Sequence, residues 1–280
     1  MDKACLQHVL TPEERKQFNE QGYLYVPDAL SPDHVKKLTF LVDDIDRKKR
    51  AAGLGPHEPN FVPNYIPESD EFLNLVDWPA TFPKVWGILG WNIYLYHTHL
   101  IVTPPRDMSK PLEKKRLNWH QDSGRVNVEM PGSNPRPMLS LKVAFFLSDV
   151  SEPGRGNFSI IPGSHLKNQI DYPADGVSDP PGGVPVCVKP GTAVFFDRRL
   201  WHTASPNNSP ITRKVLFYGY GYRWIRTKDD MTVQNLWDRV DPVRKQILGG
   251  GLNCNGHYMP QDGDVPLRVW LREHRPEDAG

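Results

Sequence analysis

Cysteine is scarce in this chain: Cys5, Cys187 and Cys254 are the only three in 280 residues. Their wide spacing forms neither a zinc pattern nor a disulfide framework, which points to a reducing compartment. An excess of charge of one sign is also missing. The formal net charge of +1 gives no reason to expect an acidic polymer as partner. The short basic runs Lys48-Lys49-Arg50 and Lys114-Lys115-Arg116 have no interleaved aromatics and read as solvated faces. No apolar run approaches membrane-spanning length, and the N-terminus is polar rather than a basic stretch followed by an apolar core. The sequence ends in Asp278-Ala279-Gly280, not in the peroxisomal Ser-Lys-Leu signal. The expectation is a soluble, cytoplasmic protein with neither nucleic acid nor membrane as partner.

Proline and glycine, by contrast, are plentiful, at 28 and 22 residues. Thr11-Pro12-Glu13-Glu14 combines an N-cap, a first-turn proline and early acidic residues, so a helix runs through Phe18 until Gly22 stops it. Tyr23 to Val26 reads as a short strand. Ser31-Pro32-Asp33 starts a second helix, with Val35, Leu38, Leu41, Val42 and Ile45 at helical spacing. A third helix is expected from Ser69 to Leu89, broken or kinked at Pro79 and Pro83. After Gly90 the pattern changes to strands: Ile93 to Val102, Leu139 to Leu147, Phe158 to Ile161, Val184 to Val188, Ala193 to Phe196 and Lys214 to Tyr222. Lys189-Pro190-Gly191-Thr192 fits a type II turn and predicts a hairpin between two of them. A further helix is expected from Thr232 to Leu248. The fold class is mainly β with flanking helices, a double-sheet jelly roll. One domain over 1–280 is expected, with N-terminal helices over 11–90, a jelly-roll core over about 91–225 and a C-terminal extension over 226–280.

The chemistry is concentrated in three places: His120-Gln121-Asp122, His202 and, eleven residues further on, Arg213. Two imidazoles and one carboxylate without a fourth protein ligand suit a non-haem Fe(II) oxygenase, whose metal keeps positions open for cosubstrate and O2. Residues i and i+2 of a strand share a face. His120 and Asp122 are therefore expected on one strand, with Gln121 directed away and His202 arriving from a distant strand. His97 and His99 also share a face, as pocket wall or as packed polar residues. Arg125, Arg198, Arg199 and Arg223 lie near the metal motifs in sequence and suggest an anionic or polar small-molecule substrate.

These residues resemble the phytanoyl-CoA dioxygenase family of Fe(II)/2-oxoglutarate oxygenases. The resemblance runs from Thr11 to about Trp224. It rests on Glu14, Phe18 and Gly22-Tyr23, on His97-Thr98-His99-Leu100 ending in Pro104-Pro105, on Trp119-His120-Gln121-Asp122, on Gly156-Asn157 with Ile161-Pro162-Gly163-Ser164-His165, and on His202 and Arg213. It implies a double-stranded β-helix, cupin-like core with Fe(II) on His120, Asp122 and His202, and with 2-oxoglutarate and O2 as cosubstrates. Arg213 is then the residue for the distal carboxylate of 2-oxoglutarate, which its planar fork matches. Asn118, two residues before His120, is a candidate for the cosubstrate carboxylate. Phe145 stands where the family often has a tryptophan lining the cosubstrate pocket.

The resemblance implies a dioxygenase that hydroxylates, or otherwise oxidises, a C–H bond of a small organic molecule. Halogenating relatives lack the carboxylate that Asp122 supplies. Two other readings use the same residues: a jelly-roll metal-binding protein or sensor without turnover, and a metal-assisted hydrolase or isomerase. The loop from Ser123 to Pro137 leaves directly after Asp122 and is the expected lid, with Arg125 reaching substrate from it.

Overall fold

The computed structural model describes residues 1–112, 115–122, 124–130, 132–228, 230, 232–251 and 260–280; Lys114, Ser123 and Cys254 lie outside the described residues. The N-terminal elements form as their punctuation dictates. In α1 (Pro12–Gln21) the Thr11 hydroxyl accepts from the Glu14 amide and the Glu14 carboxylate accepts from the Thr11 amide, a reciprocal capping box. Gly22 ends this helix at φ 79°. A Cβ there would meet the His165 ring at 2.6 Å, so both the left-handed backbone and the close approach require glycine. His165 itself bonds the Asn19 carbonyl at 3.0 Å, the turn-stabilising role that suits its place after a strand. Strand β1 (Tyr23–Val26) and helix α2 (Pro32–Ala51), capped by Ser31, follow.

The stretch from Ser69 to Leu89 is not one helix. It divides into α3 (Asp70–Asn74), a 3-10 turn over Leu75–Asp77 and α4 (Phe82–Leu89). Pro79 lies in the break, whereas Pro83 sits in the first turn of α4, where its missing N–H costs nothing. The expected helix from Thr232 to Leu248 likewise becomes a 3-10 stretch, Gln234–Arg239, followed by α6 (Pro242–Ile247), which Asp241 caps. Between these segments lie β2 (Asn60–Pro63), β3 (Ile93–Thr103), α5 (Gly124–Glu129), β4 (Ser140–Phe146), β5 (Phe158–Ile160), β6 (Val184–Pro185), β7 (Ala193–Asp197), β8 (His202–Ala204) and β9 (Arg213–Tyr222). Helix α7 (Pro266–His274) lies near the C-terminus.

The strands make two antiparallel sheets. The major sheet has the order β1-β7-β4-β9-β3-β2 and the minor one β6-β5-β8. The major sheet is buried on both faces, and period-2 alternation sorts the side chains. Leu216, Tyr218 and Tyr220 of β9 face the helices, where they join Phe72, Phe82 and Trp86. Val215 and Phe217 face the minor sheet with Ala144, Phe146, Phe158 and Phe196. Tyr218 and Tyr220 donate to the Phe72 and Val76 carbonyls at 2.8 Å each, which fixes the helical layer on the sheet. This is the double-stranded β-helix that the strand pattern indicates.

One connection differs from expectation. The turn at Lys189 to Thr192 is present, with Gly191 at φ 89° and the Thr192 amide bonding the Lys189 carbonyl at 3.3 Å. The strands on its two sides do not pair. β6 belongs to the minor sheet and β7 to the major one, so the turn carries the chain between sheets.

Candidate metal and cosubstrate site

The site lies between the two sheets. His120 and Asp122 do not sit in a regular strand, as the i, i+2 reading had it. Residues 120–122 are an extended segment held by a single antiparallel bridge, in which His120 and His202 exchange two backbone bonds of 3.0 Å. The Asp122 amide adds a bond to the Arg198 carbonyl at 2.8 Å. The consequence for the side chains is the expected one. Gln121 turns away from the metal ligands and donates to the carbonyls of Lys167 (3.0 Å) and Arg199 (2.5 Å).

One ligand atom from each of His120, Asp122 and His202 lies within 4.8 Å of the others. Both imidazoles are fixed in one orientation. Nδ1 of His120 bonds the Asn118 carbonyl at 2.8 Å and Nδ1 of His202 bonds the Leu200 carbonyl at 2.7 Å. Carbonyls only accept, so each Nδ1 carries the proton and each Nε2 keeps its lone pair for a metal. Burial holds His202 down to about 4, against the opposing Asp122, so the ring is neutral at ordinary pH. Burial alone would push the Asp122 carboxyl up, but Lys142, His202 and Lys228 outweigh it and hold the carboxyl well below the usual carboxylate range. Asp122 is thus an anion and His202 a neutral ring, both ready to ligate, and His120 turns its Nε2 toward them.

A cavity of about 270 Å³ opens from this triad, lined among others by His97, His99, Lys142, Phe158, Phe196, Arg213, Phe217 and Lys228. Arg213 is 3% exposed. Its guanidinium donates to the Gly156 carbonyl (2.5 Å) and to the Thr103 hydroxyl (2.9 Å), while Nε has no partner. No carboxylate pairs with it among the described residues. Burial pushes it down only to about 10, so it remains a cation at neutral pH. A buried, unneutralised arginine facing a cavity fits an incoming carboxylate.

His97 and His99 both line the cavity. His99 is stacked between Phe217 (4.5 Å) and Phe61 (4.9 Å), and burial, with Lys142 and His97 nearby, keeps it well below its ordinary value and therefore neutral. Other expected residues fall elsewhere. Phe145 is fully buried on the opposite face of β4, edge-on to Tyr218 at 5.6 Å, because its odd position turns it toward the helices; the inward residues are Lys142 and Ala144. Asn118 is exposed and outside the cavity lining, and its backbone carbonyl bonds His120 Nδ1. Arg125 is exposed and pairs with Glu129 at 2.6 Å along α5, so it does not reach the cavity.

The far end of the expected lid, over 133–137, is tied down; Ser123 and Pro131 lie outside the described residues. Asn168 bonds the Ser133 carbonyl, Arg198 the Pro137 carbonyl and Arg199 the Arg136 carbonyl. Arg199 is in turn held by Asp197. Arg198 and Arg199 therefore build the frame of the site without lining it, and Arg223, just past the far end of β9 with its amide on the Asn92 carbonyl, is outside the lining too. Sequence reasoning missed Lys142, whose signal was a lone charge inside the apolar run from Leu139 to Leu147, and Phe61, whose short edge strand carries no usable period.

A double-stranded β-helix that places two imidazoles and one carboxylate beside an open cavity defines the class of mononuclear non-haem iron oxygenases. Comparison with known proteins makes this specific. Residues 18–215 match the phytanoyl-CoA dioxygenase (PhyH) family, and the chain belongs to it. It is 24% identical over 237 residues to the ectoine dioxygenase of Stutzerimonas stutzeri, covering 74% of this chain and 75% of that one. It is 25% identical over 238 residues to the L-proline trans-4-hydroxylase of Streptomyces griseoviridis, covering 74% and 85%. Among solved structures, HygX from Streptomyces hygroscopicus, with nickel and 2-oxoglutarate bound, superposes with a TM-score of 0.59 at 17% identity, covering 78% of this chain and 89% of that one. The carbocyclase SnoK from nogalamycin biosynthesis gives 0.55 at 22%, covering 83% and 92%. The protein is an Fe(II)/2-oxoglutarate-dependent dioxygenase that acts on a small molecule.

Proposed function

We propose that this dioxygenase hydroxylates a C–H bond of a small organic molecule, with His120, Asp122 and His202 holding Fe(II) and Arg213 holding the distal carboxylate of 2-oxoglutarate. The observation that carries the reading is one cavity with two complementary features: three candidate ligands whose donor atoms lie within 4.8 Å of one another, and a buried guanidinium without an acidic partner among the described residues. Fe(II), when bound with 2-oxoglutarate and O2, supplies the oxidising power that no side chain has. The chain's own residues do the rest.

His120 and His202 present Nε2 because their Nδ1–H groups are engaged by carbonyls. Asp122 supplies the third ligand as an anion. It would fill the position that halogenating relatives leave free for a halide, which favours hydroxylation over halogenation. Phe158, Phe196, Phe217 and Ile101 give the cavity an apolar wall that limits water around the reacting centre. At about 270 Å³ the cavity lies below the ~300–1,000 Å³ of sites for drug-sized ligands, and it must take cosubstrate too. A compact substrate fits this space. Relatives named for ectoine and L-proline support that size class. In this reading one catalytic domain spans the chain, and the helical layer serves as a rigid backing for the major sheet.

The test is O2-dependent formation of succinate from 2-oxoglutarate by the Fe(II)-loaded protein, followed by a screen of small metabolites for stimulated turnover and hydroxylated product. A protein that binds Fe(II) yet forms no succinate with any candidate would support the non-catalytic metal-binding reading.

A further inference from the structure

The floor of the cavity has two cationic ends, and the cosubstrate accounts for only one. On β9 the inward positions are Arg213, Val215, Phe217, Gly219 and Gly221. The register sets Thr103 beside Arg213, and sets both His97 and Lys142 beside Gly219, one on each side. Six residues of extended strand separate these positions, about 20 Å of backbone. Gly219 lets its neighbours close in, since a Cβ there would lie 3.0 Å from the His97 carbonyl and 3.3 Å from the Tyr96 ring, so His97 and Lys142 flank it without an intervening side chain.

A register shift between Leu95 and His97 makes Tyr96 the extra residue of a β-bulge. It turns Tyr96 and His97 to the same face, the re-aiming that bulges provide beside sites. The Tyr96 phenol meets the Ser140 hydroxyl at 3.0 Å on this face. The far end of the cavity thus presents an ammonium and an imidazole, Lys142 and His97, with the Tyr96–Ser140 hydroxyl pair buried behind the lining.

Lys142 is 5% exposed, in the middle of a sheet. Its Nζ lies 2.8 Å from Asp122 Oδ2 and 5.9 Å from each of the Phe196 and Phe217 rings. Asp122 is the single carboxylate among the described residues lining the cavity, against the cations Lys142, Lys228 and Arg213. Once Asp122 ligates a divalent cation, its charge no longer compensates Lys142. A buried ammonium without a counter-charge is costly, so the site favours a ligand that brings one.

We propose that Lys142 anchors the substrate, and that the substrate carries a compact oxyanionic group, a carboxylate or a phosphorus oxyanion, held at the Lys142–Gly219–His97 end of the cavity. This rests on the assignment of the triad and Arg213 given above. The C–H bond to be oxidised is then turned toward the triad from the end opposite the cosubstrate, which makes Lys142 a specificity-determining residue. Neutral analogues of the substrate lose their anchor.

The experiment is anaerobic calorimetry on the protein loaded with Fe(II) and saturating 2-oxoglutarate, titrated separately with acetate, inorganic phosphate and acetamide. Wild type is expected to bind acetate or phosphate at least tenfold more tightly than acetamide, and the preferred anion tells the two oxyanions apart. K142M should lose tenfold or more in anion affinity while acetamide is unaffected, and K142R should recover most of it. A lysine that merely braces Asp122 would alter all three titrations alike. Failure of 2-oxoglutarate to load overturns the oxygenase-site reading and this proposal with it. Normal loading followed by equal binding of anion and amide, or by wild-type anion affinity in K142M, overturns the anchor alone.

Discussion

Replacing Arg213 tests the cosubstrate end of the site and separates binding from folding. The guanidinium is buried, makes two hydrogen bonds to neutral groups and faces no carboxylate among the described residues. Removing one member of a desolvated, hydrogen-bonded charge pair costs about 2–5 kcal/mol, or ~30- to ~5,000-fold in affinity. Arg213→Met should weaken 2-oxoglutarate binding by that factor, and Arg213→Lys should fall between, keeping the charge but losing the fork. Stability should move little. The apolar isostere removes an unneutralised buried cation, which offsets the partners left behind at Gly156 and Thr103, and the melting temperature of the metal-free protein should stay within about 4 °C. Titration of 2-oxoglutarate into Fe(II)-loaded protein reads the first effect and thermal unfolding the second. Unchanged 2-oxoglutarate affinity in both variants would show that another basic residue takes the carboxylate.

Other predictions address the metal end. His202 titrates near 4 in the folded protein, below the ~6.5 of an unfolded chain, so between these values only the unfolded chain takes up the proton. The metal-free protein should therefore lose up to about 3 kcal/mol of stability as pH falls through that window, and urea midpoints of His202→Leu should show a shallower pH slope than wild type; equal slopes would refute the assignment. Gln121→Leu removes the bonds that hold the segment between two ligands, and should weaken Fe(II) affinity by ~10–100-fold, the usual cost of losing a ligand's support. Wild-type iron affinity in that variant would mean the backbone bridge alone positions His120 and Asp122.

Much of this was legible in the chain because the signals are local. Thr11-Pro12 and Ser31-Pro32 mark α1 and α2 through capping chemistry that needs no tertiary context. The triad and Arg213 are legible because metal chemistry restricts residue type more than packing does. What depended on phase was less secure. In a strand a one-residue slip moves a side chain to the other face, and Phe145 fell on the helical side while Lys142, buried inside an apolar run, faced Asp122. The bulge at Tyr96 and the edge strand β2, ending at Pro63, leave no periodic trace. The pairing of β6 with β5 rather than β7 is a tertiary choice that the turn at Gly191 permits but does not specify. The same holds for the end of the loop after Asp122, whose polar composition suggested a lid but whose Pro137 and Arg136 carbonyls are bound by Arg198 and Arg199.

The most direct test of the account is succinate formation from 2-oxoglutarate, with Fe(II) and O2, by wild type and His202→Ala side by side with Fe(II) affinity measured on both. The account predicts O2-dependent succinate in wild type, and in the variant a loss of at least 100-fold in turnover together with weakened iron binding, since one of three ligands is gone. Near-wild-type succinate formation by His202→Ala would contradict it.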